Sequence, residues 1–411
     1  MTDILVRPIT EDDMRDYLRC AGAAFHNGSD VSDEYFAYAH IYMDDLSQRL
    51  GAFVDGAVCG TTGSFSTELT VPGGSTVPMS AVTQVTVLPT HRRRGLLREM
   101  MEVQLRGALA RGEIVAMLIA AEWPIYGRFG YGMAIEAAAT TVDARAAEFR
   151  DPTPRGTIEI VDLKTLRELA PPVFDSHRLR TPGAIHRSPV HWDLSLDVIP
   201  APGDEPAKKR MRVVHRDSAG VVDGYAVYDP KDEWVHNQPN VKLAVYPMIA
   251  VTPDAEADLW RYLCSIDWVT EVQAQVRPID EDVRHLFVNG RVARQTDRSD
   301  NMWVRLLDVP AALSARRYEA PVSLVLDVRD DVFGDGRFRL DGDTNGASCT
   351  PTSDPSDVAV TVDVLGAAYL GGARLAPYAY DGRITETTDG AIAALDRGMR
   401  TANAPWATTG F

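Results

Sequence analysis

Cysteine is scarce. The 411 residues hold four, Cys20, Cys59, Cys264 and Cys349, far apart and without a CxxC pair. That argues against a disulfide scaffold and a structural zinc site. The nine histidines are scattered, with no HxxxH or HExxH, so no metal enzyme is expected. No apolar run approaches the roughly 20 residues that span a bilayer. The opening Met1–Pro8 carries no signal-peptide core, and a cytoplasmic location is the default expectation. A basic excess is also missing: 58 acidic residues against 42 basic ones leave a formal charge of −16. A nucleic-acid partner needs a net basic face and is disfavoured. Cationic small molecules or lysine side chains suit the acidic field better.

Against this acidic background one segment runs the other way. Val85-Thr86-Val87-Leu88-Pro89-Thr90-His91-Arg92-Arg93-Arg94-Gly95-Leu96-Leu97 reads as a strand, a basic loop and the first turn of a helix. Such a junction aims backbone N–H groups and the positive end of a helix dipole at one spot. Three arginines add charge there, so the segment reads as a phosphate site. Gly95 lets the backbone approach closely and take any φ. The plain alternative, a solvated arginine run, lacks the strand, glycine and helix.

The length calls for two or three domains, and 45% hydrophobic with 24% charged residues is a globular composition. Ile4–Arg7 reads as a strand, and residues 11–24 as an amphipathic helix burying Met14, Tyr17, Leu18 and Ala21. Asp55-Gly56 fits a hairpin turn. Thr83, Val85 and Val87 alternate toward a core. Leu97, Met100, Met101, Leu105 and Ala108 mark a helix ending near Gly112. Ile114–Ala120 is a continuous apolar run, as in a central strand. Trp123-Pro124-Ile125-Tyr126-Gly127-Arg128-Phe129-Gly130-Tyr131-Gly132 follows.

Residues 151–155 look like a boundary. Beyond them the order repeats weakly, with a turn and strand over residues 219–228, a strand over 241–251 and a helix over 254–263. Set against Val87-Leu88-Pro89, the second copy has Val251-Thr252-Pro253, then Asp254-Ala255-Glu256-Ala257-Asp258-Leu259. Carboxylates replace the arginines, so this copy repels phosphate. From about Asn301 the texture changes. Strands are expected over 321–328, 334–342 and 357–364, and helices over 367–370 and 391–395. The aromatic final residue, Phe411, suggests a docked terminus.

The strand, the Arg92-x-x-Gly95-x-Leu97 loop and its helix resemble the acetyl-CoA site of GNAT N-acetyltransferases. Leu97 departs from the Gly or Ala at the last position of the family pattern. The Tyr126 to Tyr131 turn is similar to the family's second hallmark. The length and three-part layout resemble a narrower group, the enhanced intracellular survival (Eis) acetyltransferases of actinobacteria. Val360–Gly371 is similar to a sterol-carrier pattern. The resemblance covers essentially the whole chain. It implies an α/β (α+β) fold class: tandem GNAT folds with mixed central sheets, then a sterol-carrier-like domain. The expected domains are 1–150 (catalytic), 151–300 (degenerate GNAT) and 301–411.

The resemblance implies acetyl-CoA as co-substrate and no metal. Its pyrophosphate falls to the Arg93–Leu96 amides and the Arg92 and Arg93 side chains, with Arg94 in the same loop. Val85, Thr86 and Val87 form the adjoining strand. The family's strand amide, which polarises the thioester carbonyl, maps to Val87. Tyr126 is the candidate general acid for the leaving thiolate. In Eis enzymes the base is the terminal carboxylate, here that of Phe411. Phe25, His26, Phe36 and Trp123 are candidate pocket residues, although each also fits an ordinary core or surface position. The expected activity is N-acetylation of cationic small molecules such as aminoglycosides or polyamines, at several positions, by a hexamer. The alternatives are a protein-lysine acetyltransferase and a lipid carrier working through the C-terminal domain.

Overall fold

The computed structural model describes residues 4–203, 210–231 and 233–411. Met1, Thr2 and Asp3 of the opening segment lie outside the described residues. The chain forms two compact units. One holds residues up to Ile135, Asn301–Ala402 and Thr409–Phe411; the other holds Glu136–Asp300 and Asn403–Thr408.

The first unit begins with β1 (Ile4–Pro8), α1 (Met14–Ala24), α2 (Asp33–Tyr42), β2 (Arg49–Val54), β3 (Ala57–Thr70) and β4 (Thr76–Val87). It continues through α3 (Leu96–Ala110), β5 (Val115–Leu118) and α4 (Trp123–Tyr126). β1 to β4 form an antiparallel meander. The β2–β3 turn places Asp55 and Gly56 at φ 50° and 83°, as a tight hairpin requires. α1 buries Met14, Tyr17, Leu18 and Ala21, the face expected from their spacing. α3 buries Met100, Met101, Leu105 and Ala108, but Leu97 is only half-buried.

β5 runs parallel to β4, but only Met79–Ala81 pair with Val115–Met117. Beyond that point the two strands diverge. This corrects the reading of Ile114–Ala120 as one central strand: its last residues have lost the neighbour, and Ile119 is 42% exposed. The expected alternation of Thr83, Val85 and Val87 is broken too. The β3–β4 register slips between Thr61 and Gly63, and Gln84 takes φ 53°. This bulge turns the end of β4 toward the divergence.

The second unit contains α5 (Leu163–Arg178), α6 (Pro189–Ser195) and α7 (Pro253–Ser265). Strands Thr157–Ile160, Met211–Arg216, Val222–Lys231 and Val241–Ala250 form a meander. Val241–Ala250 then runs parallel to Val269–Pro278, which pairs antiparallel with residues 137–143. The first unit follows the same plan: β5 pairs antiparallel with residues 303–306. Each sheet is therefore completed by a strand that the chain supplies from beyond the other copy. At the start of α7, the Thr252 side chain accepts from the Ala255 amide. Asp258 is buried, accepts from the Arg155 and Gly156 amides, and faces His215 Nε2 at 3.0 Å. Carboxylates fill the place where the first copy carries arginines.

The last part groups with the first unit. It holds α8 (Val309–Ala315), α9 (Val362–Ala368), α10 (Ala391–Met399) and a five-stranded sheet. Residues 362–364, expected as strand, belong to α9, and Tyr369 and Leu370, expected as helix, lie past its end. Every residue of α9 is buried, so its sequence shows no helical alternation of polar and apolar positions. Its backbone sits on other backbone: a Cβ on Gly366 would lie 2.2 Å from the Val304 carbonyl oxygen.

Arg316 is fully buried and donates to the Ala368, Tyr369 and Met399 carbonyls. These close the C-terminal ends of α9 and α10, where a cation is favoured. Arg316→Met leaves three buried carbonyls without their donor. We expect a loss of about 3 kcal/mol. That corresponds to a fall in thermal midpoint of roughly 6–12 °C, measurable by calorimetry; an unchanged midpoint would contradict the capping role. No helix among the described residues is long and apolar enough to cross a membrane.

Candidate active site

The divergence of β4 and β5 opens a cavity of about 900 Å³, near the top of the roughly 300–1,000 Å³ range of small-molecule sites. It gathers most of the residues singled out in the sequence. Val85, Thr86 and Val87 form one wall, and Arg92, Arg93, Gly95 and Leu96 the mouth. Tyr126 lines the opposite side, and Phe25 and His26 enter from the end of α1. Arg94 is exposed beside the loop but does not line the cavity.

Two candidate pocket residues belong elsewhere. Phe36 packs beside Met14, Tyr17 and Leu18, with the Arg15 guanidinium 4.4 Å from its ring centroid. Trp123 is 59% exposed and stands edge-on to Trp303, 4.8 Å between centroids. Four lining residues, Arg98, Arg128, His91 and Glu122, have no role assigned from the sequence. Arg128 lies inside the Tyr126–Tyr131 motif and could have been found from it. Gln84, which shapes the wall, carries no such signal.

The loop geometry is that of an anion cradle. Arg93 and Gly95 take φ 64° and 88° within one short turn. Backbone amides around such left-handed residues converge on one side. A Cβ at Gly95 would meet no atom within 4 Å, so the conformation, and not crowding from the protein, demands glycine. The lining residues Arg92, Arg93, Arg98 and Arg128 make no ion pair among the described residues. In a chain of net charge −16, that leaves four guanidinium groups at one cavity for an external polyanion. The donor set fits a pyrophosphate-bearing coenzyme.

The strand supplies a further donor. The Leu88 amide bonds the Cys59 carbonyl at 2.9 Å. Bonded and non-bonded pairs alternate along an antiparallel ladder. Val87, opposite Gly60, therefore turns its N–H away from β3, toward the side that β5 has left.

Tyr126 is held by α4, which opens on Pro124, and its ring meets Tyr131 edge-on at 6.1 Å. Burial pushes its hydroxyl from an ordinary value of 10.0 up to about 12, with a smaller push from the Glu122 carboxylate. It is held as a protonated donor. Phe411 does not line the cavity. Its ring stands edge-on to Phe65, 5.6 Å between centroids. Phe65 pairs with Ala81, the last β4 residue that is also joined to β5. A Cβ on the neighbouring Gly410 would come within 3.8 Å of Ile119, just past β5. The chain terminus thus docks at the apex of the divergence.

Comparison with known proteins agrees with this geometry. A GNAT acetyltransferase domain model matches residues 5–134, a second matches 183–306, and a sterol carrier protein domain model matches 309–408. N-acetyltransferase Eis of Mycobacterium tuberculosis is 36% identical over 85% of this chain and 84% of its own. This chain belongs to the Eis-like GNAT N-acetyltransferase family. An uncharacterized N-acetyltransferase of Streptomyces griseus is 40% identical over 98% of both chains. The crystal structure of Eis1 from Mycobacterium abscessus superposes with a TM-score of 0.85 at 31% identity, covering 99% of this chain and all of that one. The enzyme is an N-acetyltransferase with two GNAT domains and a sterol-carrier-like domain. Its first GNAT domain carries the cavity just described.

Proposed function

We propose that the enzyme transfers an acetyl group from acetyl-CoA to amines of cationic small molecules, aminoglycosides or polyamines, at more than one position. The observation that carries this reading is the cavity itself, lined by four arginines free of ion pairs among the described residues and by a buried tyrosine. Acetyl-CoA supplies the activated thioester. The Arg92–Leu96 loop binds the diphosphate, Val85 and Thr86 line the cofactor's path, and the Val87 amide donates to the carbonyl oxygen as it gains charge. Tyr126 holds the proton that the departing sulfur needs. A free amine of this class arrives mostly protonated, with a pKa of about 10.4. In this reading the Phe411 carboxylate receives or orients that extra proton. The acidic surface draws cations toward the site. By the same kinship, the working assembly is a hexamer, which light scattering on the purified protein can check.

The deciding assay measures coenzyme A release across aminoglycosides, polyamines and lysine peptides. Higher kcat/KM for the first two supports the reading. Preference for the peptides would replace it with protein-lysine acetylation.

The terminus gives a second test. Residues added after Phe411 remove its terminal carboxylate but leave the preceding chain intact. kcat should fall at least about tenfold, with unchanged acetyl-CoA affinity and unchanged thermal midpoint. A fully active extended enzyme would remove the terminal carboxylate from the mechanism.

A further inference from the structure

The sterol-carrier-like domain reaches the core that holds Tyr126. After its first strand, Val322–Arg329, the chain makes a closed turn. Asp330 accepts from the Val332 and Phe333 amides at 2.9 and 3.2 Å, and its own carbonyl accepts from Gly334. The second Asp330 oxygen pairs with Arg305 at 2.6 Å, and both side chains are almost wholly buried. Phe333 lies between two guanidinium groups, Arg305 at 5.2 Å and Arg106 of α3 at 5.5 Å. Arg106 also donates to the Val332 carbonyl at 2.8 Å. Val332 and Phe333 pack against the cluster of Met101, Leu105, Phe129, Tyr131 and Tyr126 itself.

Arg305 carries the contact onward. A Cβ on Gly130 would lie 2.7 Å from its Nε, so the turn after Phe129 rests directly on the guanidinium. The next residue, Tyr131, donates its amide to the Tyr126 carbonyl at 3.3 Å and meets the Tyr126 ring edge-on. Arg305 Nε and the Tyr131 hydroxyl are both buried without a hydrogen-bond partner among the described residues. Each such atom costs free energy, so the contact between Arg305 and the Gly130–Tyr131 turn is held by the packing and ion pair around it.

We propose that the Asp330–Phe333 turn is a positioning element for Tyr126, acting through Arg305 and the Gly130–Tyr131 turn. The inference rests on the reading of Tyr126 as general acid. A displacement of about 1 Å in such a group can cost about a hundredfold in rate. The third domain is then a structural part of the acetyltransfer site.

The test is a double-mutant cycle on the full-length enzyme, using the amine with the highest turnover in the panel. Phe333→Ala should lower kcat about tenfold to a hundredfold and leave the KM for acetyl-CoA within about twofold. Phe333→Leu should recover much of the loss. In a Tyr126→Phe background Phe333→Ala should cost nothing further. Asp330→Asn, which keeps an acceptor for the turn but removes the charge facing Arg305, should show the same dependence. Asp330→Asn carries the cycle if Phe333→Ala does not fold. Normal kcat in folded Phe333→Ala or, where that does not fold, in Asp330→Asn, or an equal loss with and without Tyr126, overturns the inference alone. A Tyr126→Phe enzyme with undiminished turnover overturns the general-acid reading and this inference with it.

Discussion

Tyr126→Phe should lower kcat by about a hundredfold or more while acetyl-CoA binds as before. Phenylalanine keeps the ring that packs against Tyr131 and loses only the hydroxyl, so the core is spared. The hydroxyl's worth depends on its protonation. Burial raises its pKa from 10.0 to about 12. The neutral form therefore persists beyond the range in which a free tyrosine begins to ionise. The stability gained from holding that proton is fully present below pH 10 and is lost as pH rises through about 12. Tyr126 thus predicts no falling limb in kcat between pH 7 and 10, and the variant's profile should parallel the parent's at a lower level. Near-normal turnover would leave the departing thiolate to be protonated by another group.

The second large effect concerns binding. Gly95 sits at φ 88°, where a β-branched residue is strained. Gly95→Val forces the turn to relax and misaligns the amides that face the diphosphate. Strain and two weakened charge-assisted hydrogen bonds together cost about 3 kcal/mol, or about a hundredfold in Kd for acetyl-CoA. Gly95→Ala should lose closer to tenfold, because a lone Cβ costs about 1–2 kcal/mol in this region. Because that Cβ would meet no protein atom, backbone strain is the whole cost, and fold stability should fall by no more than about 1–2 kcal/mol. Titration calorimetry with acetyl-CoA separates these outcomes, and unchanged affinity in the valine variant would remove the loop from the cofactor site.

The parts of the site visible in the sequence are the local ones. The Arg92–Gly95 loop and the Tyr126 turn hold their chemistry within a few residues, so spacing reveals them. Phe36 and Trp123 were ambiguous because aromatic residues serve cores and pockets alike. Their partners decide, and Trp303 lies far along the chain from Trp123. The bulge at Gln84 has no compositional mark, since glutamine is not a residue that favours positive φ. The same limit hid α9. Its Val362-Asp363-Val364 alternation reads as strand, and burial on every side erases the helical period. Arg305 and Asp330 belong to no local motif, and only the fold brings them together at 2.6 Å.

The exchanged strands constrain how this chain can be cut. β5 is closed by residues 303–306, which arrive only after the second GNAT copy has been traversed. A chain cut at the apparent boundary near residue 150 would leave β5 with a bare edge, open to pairing with other chains. Any shortened form that keeps the first sheet closed must therefore also carry residues 303–306.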